Sequence, residues 1–173
     1  MLLIIPKHGV SQNSKEEDIF RTPGTDSLFG KKFPAFKVKL SNGTVFSSKD
    51  IQNKVVFVNF WFAACAPCMA EMEGLNKLYD TLKGDKRFVF LSFTFDPREV
   101  TKKIVKKKGI KYQVLNISRE EIKRLNKVDH YPTSFILDEQ GIITWAVGRG
   151  TDDDEIASGA VMMFIYPKIL AKL

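Results

Sequence analysis

The chain reads as an α/β fold, a mixed central sheet between layers of helix, and three observations predict it. Residues 55–62 and 88–95 are near-continuous apolar runs, and each is followed by apolar residues at helical spacing. That is the pattern of strands covered on both faces and joined by crossover helices. Later, residues 134–137 and 142–147 read as strands joined by Asp138-Glu139-Gln140-Gly141, so an antiparallel hairpin closes the sheet. Ahead of all these, residues 36–40 and 44–47 alternate around Asn42-Gly43, a strong hairpin signal.

Taken in order, residues 1–29 read as a flexible lead and residues 30–173 as one domain, opened by Phe33-Pro34. After the first hairpin and the strand at 55–62, Met72, Leu75, Tyr79 and Leu82 return at helical spacing. After the strand at 88–95, Asp96-Pro97-Arg98-Glu99 predicts a helix start, with Asp96 as the cap, Pro97 in the first turn and Glu99 reaching back. Val100, Ile104 and Val105 form the apolar stripe of that helix, and Gly109 ends it. Residues 112–115 form a short strand. Ser118-Arg119-Glu120-Glu121 is a capping box for a short helix carrying Ile122 and Leu125. Thr151 with the acids at 152–155 begins the last helix, and Pro167 is expected to kink or break it.

Composition narrows the function classes. The 173 residues suffice for one domain with a real core, and a hydrophobic content of 44% is ordinary for a globular chain. No stretch approaches the roughly 18 apolar residues of a membrane span. The formal charge is +7, with lysines gathered at 102, 103, 106, 107, 108 and 111. They read as a solvated helix face whose C-terminal cations complement the macrodipole, or as a docking face for an anionic membrane surface or acidic partner. No aromatic residues interleave with them, which argues against nucleic acid. Residues 1–6 are apolar but too short for a secretory signal core and lack a basic start. They read as no export signal, or as the tail of a signal or anchor with residues 11–18 as a tether.

Cysteine appears twice, in Cys65-Ala66-Pro67-Cys68, where an apolar strand gives way to a helix. A thiol pair so placed suits reversible disulfide chemistry, because the positive pole of a helix favours a thiolate at Cys65. A purely structural bridge over two residues closes almost no loop and stabilises little. Zinc would want more ligands than two cysteines and a histidine. Neither Ala66 nor Pro67 offers charge or a side-chain donor to the thiolate, so a fairly reducing couple is expected.

The run from Val58 to Met72, Val58-Asn59-Phe60-Trp61-Phe62-Ala63-Ala64-Cys65-Ala66-Pro67-Cys68-Met69-Ala70-Glu71-Met72, resembles the thioredoxin superfamily, most closely thiol-disulfide oxidoreductases of the TlpA/ResA type. Tyr131-Pro132-Thr133-Ser134-Phe135-Ile136-Leu137-Asp138 resembles that family's segment with a cis-proline opposite the cysteines. The resemblance covers roughly residues 30–173. It implies a thioredoxin fold with an N-terminal β-hairpin extension, and no cofactor. It also implies Cys65 as the attacking thiol, Cys68 as the resolving thiol and Glu71 as a proton relay beside Cys68. Tyr131, Pro132 and Thr133 would then bind an extended substrate segment. The partners so implied are disulfide-bearing protein substrates and a dithiol electron-donor protein, met by a monomer in the periplasm or cell envelope. Cytochrome c maturation or envelope redox homeostasis would be the process served, although a cytoplasmic place stays open.

Three positions depart from the family pattern. Ala64 stands where an aromatic usually precedes the first cysteine. Glu73-Gly74 stands where a proline often follows, so a kink there would come from Gly74. His130 is an unusual residue two before the proline. Glu71 also reads as an ordinary surface glutamate, Trp61 as core, and His130 as an ordinary loop histidine. A second reading takes Cys65, Cys68 and His130 as a metal set like that of the Sco-type copper chaperones. A third, peroxide reduction, would want a threonine near Cys65, and Phe62, Ala63 and Ala64 supply none.

Overall fold

A computed structural model describes residues 24–173. The apolar start at residues 1–6, the polar stretch 11–18 and most of the expected lead lie outside the described residues. Packed chain begins before residue 30: Asp26–Leu28 makes a 3-10 turn, Leu28 is buried in the core, and Gly30 N–H donates to the Ile143 carbonyl.

Strands β1 (Lys37–Lys39) and β2 (Val45–Ser47) pair antiparallel as a separate two-stranded sheet. Their turn has Gly43 at φ 84°, where glycine carries no steric penalty, and the Asn42 side chain accepts from Thr44 N–H and Oγ1–H. β3 (Val55–Trp61) follows, then helices α1 (Ala66–Ala70) and α2 (Met72–Leu82), then β4 (Phe88–Thr94). Next come α3 (Arg98–Lys108), β5 (Gln113–Asn116), α4 (Arg119–Asn126), β6 (Thr133–Leu137) and β7 (Ile143–Val147). α5 (Asp154–Ala160), a π-helical turn (Val161–Ile165) and α6 (Tyr166–Leu170) end the chain.

The five-stranded sheet has the order β5-β4-β3-β6-β7. β3, β4 and β5 pair in parallel, and β6 pairs antiparallel with both β3 and β7, the mixed sheet the sequence predicts. β3 is central and buried along its whole length, and its period-2 alternation divides the core. Val56, Val58 and Phe60 face a cluster with Phe36, Val38, Phe93 and the apolar face of α4. Val55, Phe57 and Trp61 face the cysteines, Met72, Leu75 and Leu78 of the first helices, and Val161, Ile165 and Ile169 at the C-terminus. The N-terminal hairpin therefore covers one side of the sheet and the redox helix the other.

Several local expectations change. Asp96 does not cap α3. Pro97 takes the cap position without a side-chain bond, and Glu99 pairs with Lys102. The helix break falls at Glu71, between α1 and α2, and not at Gly74. Gly74 instead lies against α5, where an added Cβ would stand 2.5 Å from the Ser158 carbonyl oxygen. The last helix starts two residues later than the acids suggest, with Asp153 capping through a bond from Ile156 N–H, 2.9 Å. The last helix is interrupted just ahead of Pro167, which sits in the first turn of α6. The π-helical turn precedes the proline, and helix resumes through Leu170. Ser118 caps α4 by accepting from Glu121 N–H, while the Glu121 carboxylate turns to Arg124.

Candidate active site

The end of β3 delivers the cysteines. Cys65 is the N-cap residue of α1 in an extended conformation, and its sulfur accepts from Cys68 N–H at 3.3 Å. The two sulfurs form a disulfide, with Cα atoms 5.2 Å apart. Cys68 is fully buried and Cys65 is 6% exposed, so an incoming partner meets Cys65 first. The turn ahead of them is held from β4: the Asp96 carboxylate accepts from Ala63 N–H at 2.6 Å and from Thr94 Oγ1–H at 3.0 Å. Cys65 N–H donates to the Phe62 carbonyl, 3.1 Å.

The Tyr131–Pro132 peptide bond is cis. Gly150 brings the loop after β7 against both prolines of the site: a Cβ there would lie 3.0 Å from Pro132 Cγ and 3.1 Å from Pro67 Cβ. Tyr131 is half-buried and Pro132 buried. Thr133 is fully buried and its hydroxyl donates to the His130 carbonyl at 2.6 Å, so its side chain does not flank a groove. The His130 side chain is exposed, and its carbonyl also accepts from Asn126 Nδ2–H. Among the described residues no three His, Cys, Asp or Glu side chains are grouped to hold a metal ion. The Cys65, Cys68 and His130 set is therefore not assembled.

Glu71 is not a surface residue. It is buried where α1 meets α2, and Asn59 Nδ2–H donates to its Oε1 at 2.9 Å. Burial drives its pKa from 4.5 up to about 8, against the opposing effect of the Asn59 bond. The buried Tyr112 hydroxyl is likewise pushed up, first by burial and then by the Glu71 charge. Glu71 also lines a pocket with Trp145, Arg149, Thr151 and Ile165. Asn59 reaches Ser134 Oγ as well, 3.1 Å, and Trp61 Nε1–H donates to Ser92 Oγ, 2.7 Å.

Sequence reasoning missed Asn59, Asp96 and Gly150. Asn59 carries a signal in hindsight, as the lone polar side chain in the apolar run 55–62. Asp96 and Gly150 carry none, because the contacts that matter at the site, Ala63 N–H for Asp96 and the two prolines for Gly150, come from distant parts of the chain.

Residues 29–146 match the family model described as AhpC/TSA family. The chain belongs to that family. Within it, the chain is 32% identical over 126 residues to "Thiol-disulfide oxidoreductase ResA" of Bacillus thuringiensis, covering 72% of each chain. Its fold is similar to a thiol:disulfide interchange protein from Bacteroides sp., with TM-score 0.63 and 25% identity over 78% of this chain and 89% of that one. It is also similar to a putative thiol:disulfide interchange protein DsbE from Chlorobium tepidum, with TM-score 0.64 and 25% identity over 78% of this chain and 95% of the other. The protein is a thiol-disulfide oxidoreductase with a thioredoxin fold and a Cys-x-x-Cys pair in the disulfide state. Among the described residues no helix is long and apolar enough to cross a membrane.

Proposed function

We propose that this oxidoreductase reduces disulfides in protein substrates through a Cys65–Cys68 dithiol cycle, with Glu71 as the proton relay. The observation that carries the reading is the pairing of an outer sulfur at a helix start with a buried carboxyl at the end of the same helix, three residues past the inner cysteine. In the reduced form, the Cys65 thiolate attacks one substrate sulfur. The other substrate sulfur leaves as a thiolate and takes a proton. Glu71 in its ionised form takes the proton of Cys68, whose thiolate attacks Cys65 Sγ and closes the disulfide; the second substrate sulfur leaves as a thiolate and takes a proton, which Glu71 can return. Two electrons have then moved to substrate, and a dithiol donor protein restores the reduced pair. Burial lifts the Glu71 carboxyl to a pKa of about 8, out of the ordinary carboxyl range and toward that of thiols, which suits it to exchange a proton with a cysteine.

Resemblance to the TlpA/ResA type supports an extracytoplasmic setting, with reductant supplied for cytochrome c maturation or envelope redox homeostasis. The apolar pair between the cysteines supports a reducing couple. The test is trapping. Cys68→Ser is expected to leave partner proteins linked to Cys65, and Cys65→Ser is expected to abolish insulin reduction by a thiol donor. Full insulin reduction by Cys65→Ser, or a reduction potential matching strong oxidants of the periplasm, would overturn the reading.

A further inference from the structure

Three aromatic rings cluster at the strand ends that lead into the redox turn, two of them (Phe62 and Tyr131) packed against the apolar cluster that contains Cys65, and none belongs to the Cys-x-x-Cys segment itself. Phe62 and Phe95 stack with centroids 5.4 Å apart and planes 25° apart. Tyr131 presents itself edge-on to both, at 5.2 Å from Phe62 and 6.1 Å from Phe95. The Arg119 guanidinium carbon lies 3.8 Å from the Phe95 centroid. The chain supplies these residues from four places: the ends of β3 and β4, the start of α4 and the position two residues before β6. Each aromatic is tied to the redox centre. The Phe62 carbonyl accepts from Cys65 N–H, Phe95 adjoins the Asp96 that holds Ala63 N–H, and Tyr131 forms the cis bond with Pro132.

The three rings are only half-buried, while Phe57, Phe60, Phe93 and Phe135 in the same sheet are fully buried. Leaving ring surface in water forgoes about 25 cal/mol per Å², and clustered apolar surface beside a reactive group marks a contact region. The residues flanking Cys65 cannot supply that contact, because Ala64 and Ala66 are exposed and carry only a methyl group. Ring packing and the Arg119 stack hold the cluster in place before anything binds, and a preorganised aromatic surface loses little conformational entropy on binding.

We propose that Phe62, Phe95 and Tyr131 are the specificity surface of the enzyme, seating an apolar, preferentially aromatic, side chain that neighbours the disulfide cysteine of the substrate polypeptide. This rests on the reading of the protein as a reductase of protein disulfides. It goes further by placing the contact normally expected at position 64 on two neighbouring strand ends. Arg119 steadies Phe95 and sets a cationic rim.

Single-turnover reaction of the fully reduced protein tests it without an electron donor. The probes are two blocked peptides, alike except for Phe or Gly beside the cysteine, each as a mixed disulfide with 2-nitro-5-thiobenzoate. Cys65 attacks the peptide sulfur and expels the coloured thiolate, and Cys68 then releases the peptide thiol. The wild-type protein is expected to react roughly tenfold faster with the Phe peptide, as one good aromatic contact allows. Phe95→Ala is expected to bring that ratio close to one, and Phe95→Leu, which keeps apolar bulk, to an intermediate value. A wild-type ratio near one, or an unchanged ratio in Phe95→Ala, overturns the specificity surface and leaves the reductase reading standing. Failure of the reduced wild-type protein to react with either peptide overturns both.

Discussion

Glu71→Gln separates the charge of the buried carboxylate from its shape. The Gln side chain keeps an acceptor for Asn59 Nδ2–H, so the hydrogen bond survives and only the titration is lost. In the native protein, burial raises the Glu71 pKa from 4.5 to about 8. Between those values the folded state holds a proton that the unfolded chain has released, so the stability contributed by the neutral form is complete below pH 4.5 and falls as pH rises, with the loss complete above pH 8. At about 1.36 kcal/mol per pH unit, the loss across the window amounts to roughly 5 kcal/mol, a large part of the 5–15 kcal/mol (roughly) that holds a typical domain together. The assay is urea unfolding of the oxidised protein at pH 4, 6 and 9, with the disulfide intact so that no thiol titrates. Glu71→Gln is expected to match the native protein closely at pH 4 and to exceed it by several kcal/mol at pH 9. Parallel curves for the two proteins from pH 4 to 9 would refute the assignment of a buried, neutral carboxyl at this position.

Gly74→Ala is expected to lower stability by about 1–2 kcal/mol in urea unfolding, because overpacking outweighs the gain in helix propensity. The added methyl meets the Ser158 backbone at 2.5 Å and 2.8 Å, which cannot rotate aside; a more stable variant would contradict the close approach of α2 and α5. Asp96→Ala strips the acceptor from Ala63 N–H and Thr94 Oγ1–H and is expected to cost about 1–3 kcal/mol. It should also alter the alkylation rate of reduced Cys65, and an unaltered rate would show that the turn keeps its shape without the carboxylate. Trp61→Phe leaves Ser92 Oγ without its indole donor and should cost about 1–3 kcal/mol, read as a drop in the urea midpoint.

Strands were legible where the local pattern is strong. The run at 55–62 is apolar on both faces because β3 is central, and its assigned strand, Val55–Trp61, differs by one residue. The hairpin at Asn42-Gly43 and the stop at Gly109 (φ 60°) could be read because a positive φ strongly favours glycine. Asp96 misled because Asp followed by Pro is a good helix start by local rules, yet its carboxylate takes one donor from the neighbouring strand end at Ala63 and another from Thr94 just before it. Gly74 misled in the same way. Read alone it is a weak helix residue, and its reason is the Ser158 backbone 84 positions later in the chain.

The amino-acid sequence alone specified the thiol pair, its place between strand and helix and the α/β layering, because these depend on spacing and periodicity within short windows; the proline segment was legible through family resemblance. The tertiary structure alone decided that Glu71 is buried against Asn59, that Thr133 turns inward, and that Phe62 and Phe95 stack at neighbouring strand ends. Burial and hydrogen-bond partnership are properties of atoms brought together from distant parts of the chain, and a carboxyl's charge state follows from both.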